Sequence, residues 1–305
     1  MTDPILPPSL APGDRVGIVA PSGRVEEAKV KQAVQQFKKW GLEAVEGKHL
    51  YDQYDLYAGR DADRLADLQG FINDPDIRAV FCARGGYGTL RLVSRLDLSA
   101  LKDHPKWISG YSDITVLHAA LNQQGLASLH APMSANFAGA QRREDTLEHF
   151  REALFGQGLA YDCSAHPNNR TGKSKALITG GNLSVMLSLS GTPYDIDTTD
   201  KILFLEEIGE YDYHLDRMMM NLKLSGKLSQ LKGLIAGQLS GMKKGRFPIS
   251  QSPEAIIYEH VKAYDYPVCF GFPAGHEEPN YTLVMGQWAE MEVGKKGVEL
   301  KQSTI

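Results

Sequence analysis

The segment WISGYSDITVLHAAL (107–121) changes pattern within a single turn. WISG (107–110) is a short apolar run of strand type. DITVLHAALNQQG (113–125) reads as a helix ended by Gly125. A strand passing through a tight turn into a helix is half of a βαβ unit. The flanking sequence repeats the motif. RVGIVA (15–20) runs into Pro21, Ser22 and Gly23, and a helix follows with Val30, Ala33, Val34 and Phe37 on one face, stopping at Gly41. LEAVEG (42–47) reads as a second strand. DADRLADLQGFIND (61–74) is helical, with Leu65, Leu68 and Ile72 aligned, and ends before Pro75. AVFCA (79–83) is a buried strand closed by the glycine-rich turn ARGGYG (83–88), and SLHAP (128–132) completes the series. Repeated βα units predict a mostly parallel sheet flanked by helices, with ligands at the carboxyl ends of its strands.

Residues 156–176 are polar and rich in Gly and Asn, and read as a linker. Beyond them, ILFLEE (202–207), GLIAGQLSG (233–241) and VCFGF (268–272) look like buried strands. A helix between the first two carries Leu215, Met218, Met219 and Leu222 on one face. The tail segments TLVMG, WAEMEVG and VELKQ are short strands. The fold class expected is therefore α/β. Its domains are an N-terminal α/β domain over 1–155, the linker 156–176, and a smaller C-terminal α+β domain over 177–305.

Bulk properties narrow the functions. The chain has 305 residues, 42% hydrophobic and 23% charged, with a formal net charge of -4. Its basic clusters are short, Lys38–Lys39 and Lys243, Lys244 and Arg246, so no phosphate-neutralising face for nucleic acid is expected. No run reaches the roughly 20 apolar residues of a membrane span, and the N-terminus lacks a signal pattern, so no membrane partner and a cytoplasmic location are expected. The three cysteines, Cys82, Cys163 and Cys269, have the spacing of neither a disulfide framework nor a metal site.

Four places carry candidate chemistry. Ser112 stands at the strand-to-helix junction, where a hydroxyl is presented at the top of a sheet beside the helix N-terminus. This is the logic of a nucleophile elbow, although Ile114 replaces the second glycine of G-x-S-x-G and a plain N-cap role stays open. ARGGYG allows close backbone approach to a ligand or is simply a tight turn, and Arg84 beside it could pair a substrate carboxylate. LFLEEIGEYDYHLDR (203–217) brings acids to a strand end, where a carboxylate can orient a histidine. GFPAGHEEPN (271–280) puts His276 in a Gly/Pro-flanked loop after a strand, the setting of a general base. The alternation Glu210, Asp212, His214, Asp216 falls on a helix and scatters round it, HEEP lacks the second histidine of a zinc-protease motif, and Pro167 spoils TGKS (171–174) as a phosphate loop. No metal and no cofactor is expected.

In order along the chain, VGIVAPSG (16–23), YAGRDADRLADL (57–68), ARGGYG (83–88), GYSDIT (110–115), GGNLS (180–184), GTPY (191–194), LFLEEIGEYDYHLDRMM (203–219) and GFPAGH (271–276) resemble the LD-carboxypeptidase family. That family comprises serine-type murein tetrapeptide carboxypeptidases and microcin C self-immunity peptidases. The resemblance implies a Ser-Glu-His triad of Ser112, Glu206 and His276. It implies an oxyanion hole from the backbone N–H groups of Gly86 and Asp113, and a homodimer. Arg84 and Asn182 are candidate substrate contacts. Glu207 adjoins Glu206, but on a strand the two point to opposite faces, so only one can reach the histidine. The implied substrate is a murein peptide that loses its terminal D-Ala during cytoplasmic peptidoglycan recycling. A peptidyl-nucleotide is the alternative, disfavoured by the lack of an inserted aromatic loop near 206–215. A non-catalytic two-lobed binding module is the rival from another class.

Overall fold

The computed structural model describes residues 3–303. Five strands of the first sheet are parallel: β1 (Arg15–Val19), β2 (Glu43–Glu46), β3 (Ile77–Cys82), β4 (Trp107–Gly110) and β5 (Ser128–His130). The helices between and after them are α1 (Glu27–Lys39), α2 (Asp61–Asn73), α3 (Ala100–Asp103), α4 (Thr115–Gln123) and α5 (Glu144–Leu154). α1 is amphipathic by spacing: Val30, Ala33 and Phe37 are buried and the lysines face out.

The second sheet contains β6 (Leu159–Ser164), β7 (Gly172–Asn182), β8 (Ile202–Ile208), β9 (Gly233–Ser240), β10 (Val268–Phe270), β12 (Trp288–Val293) and β13 (Gly297–Gln302). It is mixed. β7 through β10 are parallel, while β12, β13 and β6 extend the β7 edge antiparallel. Helices α6 (Leu183–Ser188), α7 (Asp212–Leu224) and α8 (Pro253–Val261) belong to this half.

Two expectations are corrected. Residues 156–176 are not a free linker: they supply β6, which pairs with β13, and the start of β7. The alternating burial of β6 marks a half-exposed edge strand, whose polar side chains resemble loop composition. The tail also does not stay in the second half. β11 (Leu283–Met285) joins the first sheet antiparallel to β5.

One apolar cluster includes Phe37, Phe81 and Trp107 of the first half together with Phe204, Ile235 and Met291 of the second. The halves therefore share a core. Helix α4 lies at their junction. A Cβ on Gly181 of β7 would come within 2.5 Å of Thr115 Oγ1, so glycine there is what lets the first turn of α4 approach. Three segments with candidate chemistry, at the ends of β3, β4 and β8, lie at or beside the carboxyl ends of parallel strands.

Candidate active site

The turn after β4 is held by buried polar bonds. Gly110 has φ 152°, and a Cβ there would lie 2.9 Å from Ile114 Cγ1. Ser112 has φ 63°, a left-handed conformation that costs an L-residue roughly 1–2 kcal/mol. The turn is stabilised from both sides. The buried Asp113 carboxylate accepts from Ser22 Oγ at 2.7 Å and from the Thr89 N–H at 2.8 Å. His118 Nε2 lies 2.9 Å from the Gly110 carbonyl and Nδ1 2.9 Å from Ser128 Oγ. Burial pushes His118 down to about 4, so the ring is neutral at pH 7. A carbonyl can only accept, so Nε2 carries the hydrogen and Nδ1 accepts from the serine. The strained serine is over-determined by its neighbours, and α4 continues from it through a 3-10 turn, Ser112–Ile114.

The glycine turn faces this junction. A Cβ on Gly85 would lie 2.9 Å from Ser112 Cβ and 3.3 Å from the Asp113 nitrogen. Gly86 has φ 104°, which glycine adopts without steric cost. The turn is anchored by the Gly23 N–H, which donates to the Gly85 carbonyl at 3.0 Å. The buried Arg64 donates to the Pro21 carbonyl and to Asp61. These ties account for the APSG and GRDADR segments, whose purpose is not visible in sequence.

The strand β8 sorts its two acids by alternation. Glu206 is fully buried, and its Oε2 accepts from His276 Nδ1 at 2.7 Å. Glu207 points to the other face. It accepts from the Ser184 N–H at 2.7 Å, the Ile208 N–H at 2.9 Å and Asn182 Nδ2 at 3.1 Å, while burial raises its pKa. With Nδ1 committed to Glu206, Nε2 is the nitrogen of His276 left for a proton. The His276 ring stands edge-to-face on Tyr111 at 4.9 Å, beside Ser112.

Ser112 and His276 line one cavity of about 490 Å³, with Arg84, Gly86, Ser134 and Ile208 in its wall. Among the described residues no hydrogen bond joins Ser112 to His276. Contacts of this kind often tighten only when substrate is bound. Arg84 Nη1 donates to the Arg24 carbonyl at 2.6 Å. Lys29 and Glu26, paired at 2.7 Å, are also in the cavity wall. Asn182, expected as a substrate contact, is not among the lining residues. It is buried, caps α6 by accepting from the Val185 N–H, and donates to Glu207. Asp113 contributes more than its N–H, since its side chain joins three separate segments. In sequence Ser22, Thr89 and Tyr111 carry no site role, and His118 falls within a helical pattern that suggests packing or surface. Only the APSG turn after β1 gave a local signal, and what it touches lies far along the chain.

Potential metal donors gather elsewhere. His49, Asp52 and Asp63 come within 4.8 Å of one another in a partly exposed group, where His49 Nδ1 already contacts Asp52 at 2.8 Å. None of the three lines the cavity. Of the alternating group, Glu210 lies before the start of α7 and bonds His214 of its first turn. No helix of the described residues is long and apolar enough to cross a membrane.

The chain matches two family models, the LD-carboxypeptidase N-terminal domain over residues 16–131 and the LD-carboxypeptidase C-terminal domain over residues 175–291. A probable murein peptide carboxypeptidase of Bacillus subtilis is 35% identical over 95% of this chain and 92% of its own length. The crystal structure of muramoyltetrapeptide carboxypeptidase from Oxalobacter formigenes superposes with a TM-score of 0.87 at 28% identity, covering 95% of this chain and 98% of that one. A microcin C7 self-immunity protein in complex with aspartyl sulfamoyl adenosine has a TM-score of 0.86 at 22% identity, covering 97% and 98%. At that identity the last likeness concerns the fold.

Proposed function

The chain belongs to the LD-carboxypeptidase family and is a carboxypeptidase, and from that premise we propose that Ser112, His276 and Glu206 form its catalytic triad. The observation that carries this reading is the 2.7 Å contact between buried Glu206 and His276, in a cavity shared with a serine in strained backbone. His276 Nε2 takes the proton of Ser112 Oγ as the oxygen attacks the scissile carbonyl. Glu206 stabilises the imidazolium that forms, and burial strengthens that attraction. The Gly86 and Asp113 N–H groups receive the oxyanion. Collapse of the intermediate breaks the amide bond, and the leaving amine takes its proton from His276. Water, deprotonated by His276, then attacks the acyl-serine and frees Ser112. Arg84 pairs the substrate's terminal carboxylate.

The substrate in this reading is the murein tetrapeptide L-Ala–D-Glu–diamino acid–D-Ala, cut before the terminal D-Ala. The relatives named above support that class, and the setting would be cytoplasmic peptidoglycan recycling by a homodimer. No metal is required, because the triad activates its own nucleophile. The test is D-alanine release from the tetrapeptide in the presence of EDTA, followed by mass spectrometry, with Ser112→Ala in parallel. Release by the wild type alone is expected. Equal release by both proteins would remove Ser112 from the mechanism.

One observation favours a second reading. Tyr211 and Tyr213 are exposed and stacked with ring centroids 5.6 Å apart, just beyond Ile208 of the cavity wall. Exposed stacked rings can take a nucleobase. A peptidyl-nucleotide substrate would use them, and cleavage of an aminoacyl-nucleotide, with none of the tetrapeptide, would select this reading.

A further inference from the structure

The loop that carries His276 is tied to both halves of the molecule, by different residues. On the second-half side the partner is Gln238 of β9. Its N–H donates to the Ala274 carbonyl at 3.0 Å, its Oε1 accepts from the Glu277 N–H at 2.6 Å, and its Nε2 donates to the Pro279 carbonyl at 2.8 Å. On the first-half side the tie is Glu278. One carboxylate oxygen accepts from Asn136 Nδ2 at 2.6 Å, and the other accepts from Thr146 Oγ1, also at 2.6 Å. The Asn280 N–H closes the group, donating to Thr146 Oγ1 at 3.0 Å.

Asn136 is well placed to transmit position. It lies in the 3-10 turn Ser134–Phe137, and its Oδ1 accepts from the Met133 N–H at 2.9 Å. Met133 and Ser134 both line the Ser112 cavity. Ser134 Oγ donates at 2.7 Å to the carbonyl of Ala83, the residue that opens the glycine turn. A line of hydrogen bonds thus runs from Glu278 to the wall that holds Gly86. His276 is fixed to the second half by Glu206 and must meet a serine that belongs to the first. The separation of the two depends on how the loop is seated between the halves. Carboxylate hydrogen bonds from an amide and a hydroxyl are short and strong, and are suited to setting that seat.

We propose that Glu278 is a positioning residue for catalysis, holding His276 in register with Ser112 through Asn136 and Thr146. This rests on the triad reading above, so the test uses a readout that needs no particular substrate: the rate at which a fluorophosphonate probe labels Ser112. Glu278→Ala removes both ties. Asn136→Asp leaves the loop intact but sets carboxylate against carboxylate, while still accepting from the Met133 N–H. The double variant Glu278→Gln with Asn136→Asp restores the bond with donor and acceptor exchanged.

The expected result is labelling slowed by about tenfold to a hundredfold in each single variant, the scale of a misplacement near 1 Å. The double variant should return to within about threefold of the wild type. On the peptide substrate, kcat should fall while KM changes less than about threefold. Labelling of Glu278→Ala and Asn136→Asp at the wild-type rate overturns the proposal and leaves the triad standing. A double variant no faster than Asn136→Asp also overturns it. A wild type that the probe does not label at Ser112 removes the triad reading, and this inference with it.

Discussion

The ends of β4 and β8 each place a candidate catalytic group, Ser112 in the cavity wall and Glu206 behind it against His276, by opposite means. At β4 the chain leaves the strand at once. Ser112 takes φ 63°, and the cost is met by bonds to Asp113 and Gly110 from Ser22, Thr89 and His118. At β8 the chain stays extended. Glu206 and Glu207 are both buried, and the two are told apart by the opposite faces of the strand on which their side chains lie, at a point where the register with β9 shifts. The first device presents the candidate nucleophile at a cavity wall. The second withdraws a carboxylate from water, where it acts strongly on one partner, His276.

The largest expected effect is at the β4 end. Ser112→Ala should lower kcat by roughly 10³-fold or more, because the proposed triad loses the group that forms its covalent bond, and steady-state peptide hydrolysis measures it. Residual activity within tenfold of the wild type would break the comparison.

At the β8 end the two adjacent acids should separate cleanly. Glu206→Gln leaves the imidazolium without its counter-charge and should lower kcat by roughly 10²- to 10⁴-fold. Glu207→Gln should leave kcat within about threefold. It should instead destabilise the fold by about 1–3 kcal/mol, since an amide nitrogen would face the Ser184 or Asn182 donors. Kinetics and denaturant unfolding of the pair check this, and equal kinetic losses would mean that the strand does not sort the acids.

Acid should weaken the β4 side through its buried histidines. Folded His118 protonates only at about 4, whereas the ordinary value is 6.5. Burial holds His130 well below that value too, with neighbouring His118 and His276 adding to it. As pH falls from about 6.5 towards 4, the unfolded chain binds protons that the folded one refuses. Stability is therefore lost over that window, on the order of 3 kcal/mol for His118 alone. Denaturant unfolding at pH 7, 5.5 and 4.5 measures the slope, which His118→Gln should flatten.

The smallest effect isolates the strain itself. Ser112→Gly and Ser112→Ala should both be inactive, yet the glycine variant should be more stable by about 0.5–1 kcal/mol, because glycine occupies left-handed backbone freely. Calorimetry that ranks alanine above glycine would mean that the turn stores no strain.

Much of this was legible in the residues. The βα repeats of the first half are local patterns, and each element whose bounds the sequence marks lies within a residue or two of its observed place, while α3 and α5 go unmarked. Ser112 and His276 stood out because each follows an apolar strand through glycine. The second half was read less well. β6 reads as linker in the sequence, since an edge strand alternates polar and apolar residues much as a loop does. β11 reads in sequence as part of the second half, since its three residues carry no sign of which sheet they join. Asn182 is a candidate substrate contact by resemblance, whereas its side chain serves Glu207 and the start of α6.

The sequence by itself determined the alternation of elements, the turn that presents Ser112, and the fact that only one of Glu206 and Glu207 could face a histidine. These follow from backbone periodicity and from steric limits that act over a few residues. Which acid faces His276 is decided only when β8 packs with the first half on one side and α6 on the other, burying both. The tie from Glu278 to Asn136 was likewise decided by tertiary structure, because it joins residues 142 positions apart. A contact at that separation leaves no periodic trace in the chain, and it forms only once the shared core has brought the two halves together.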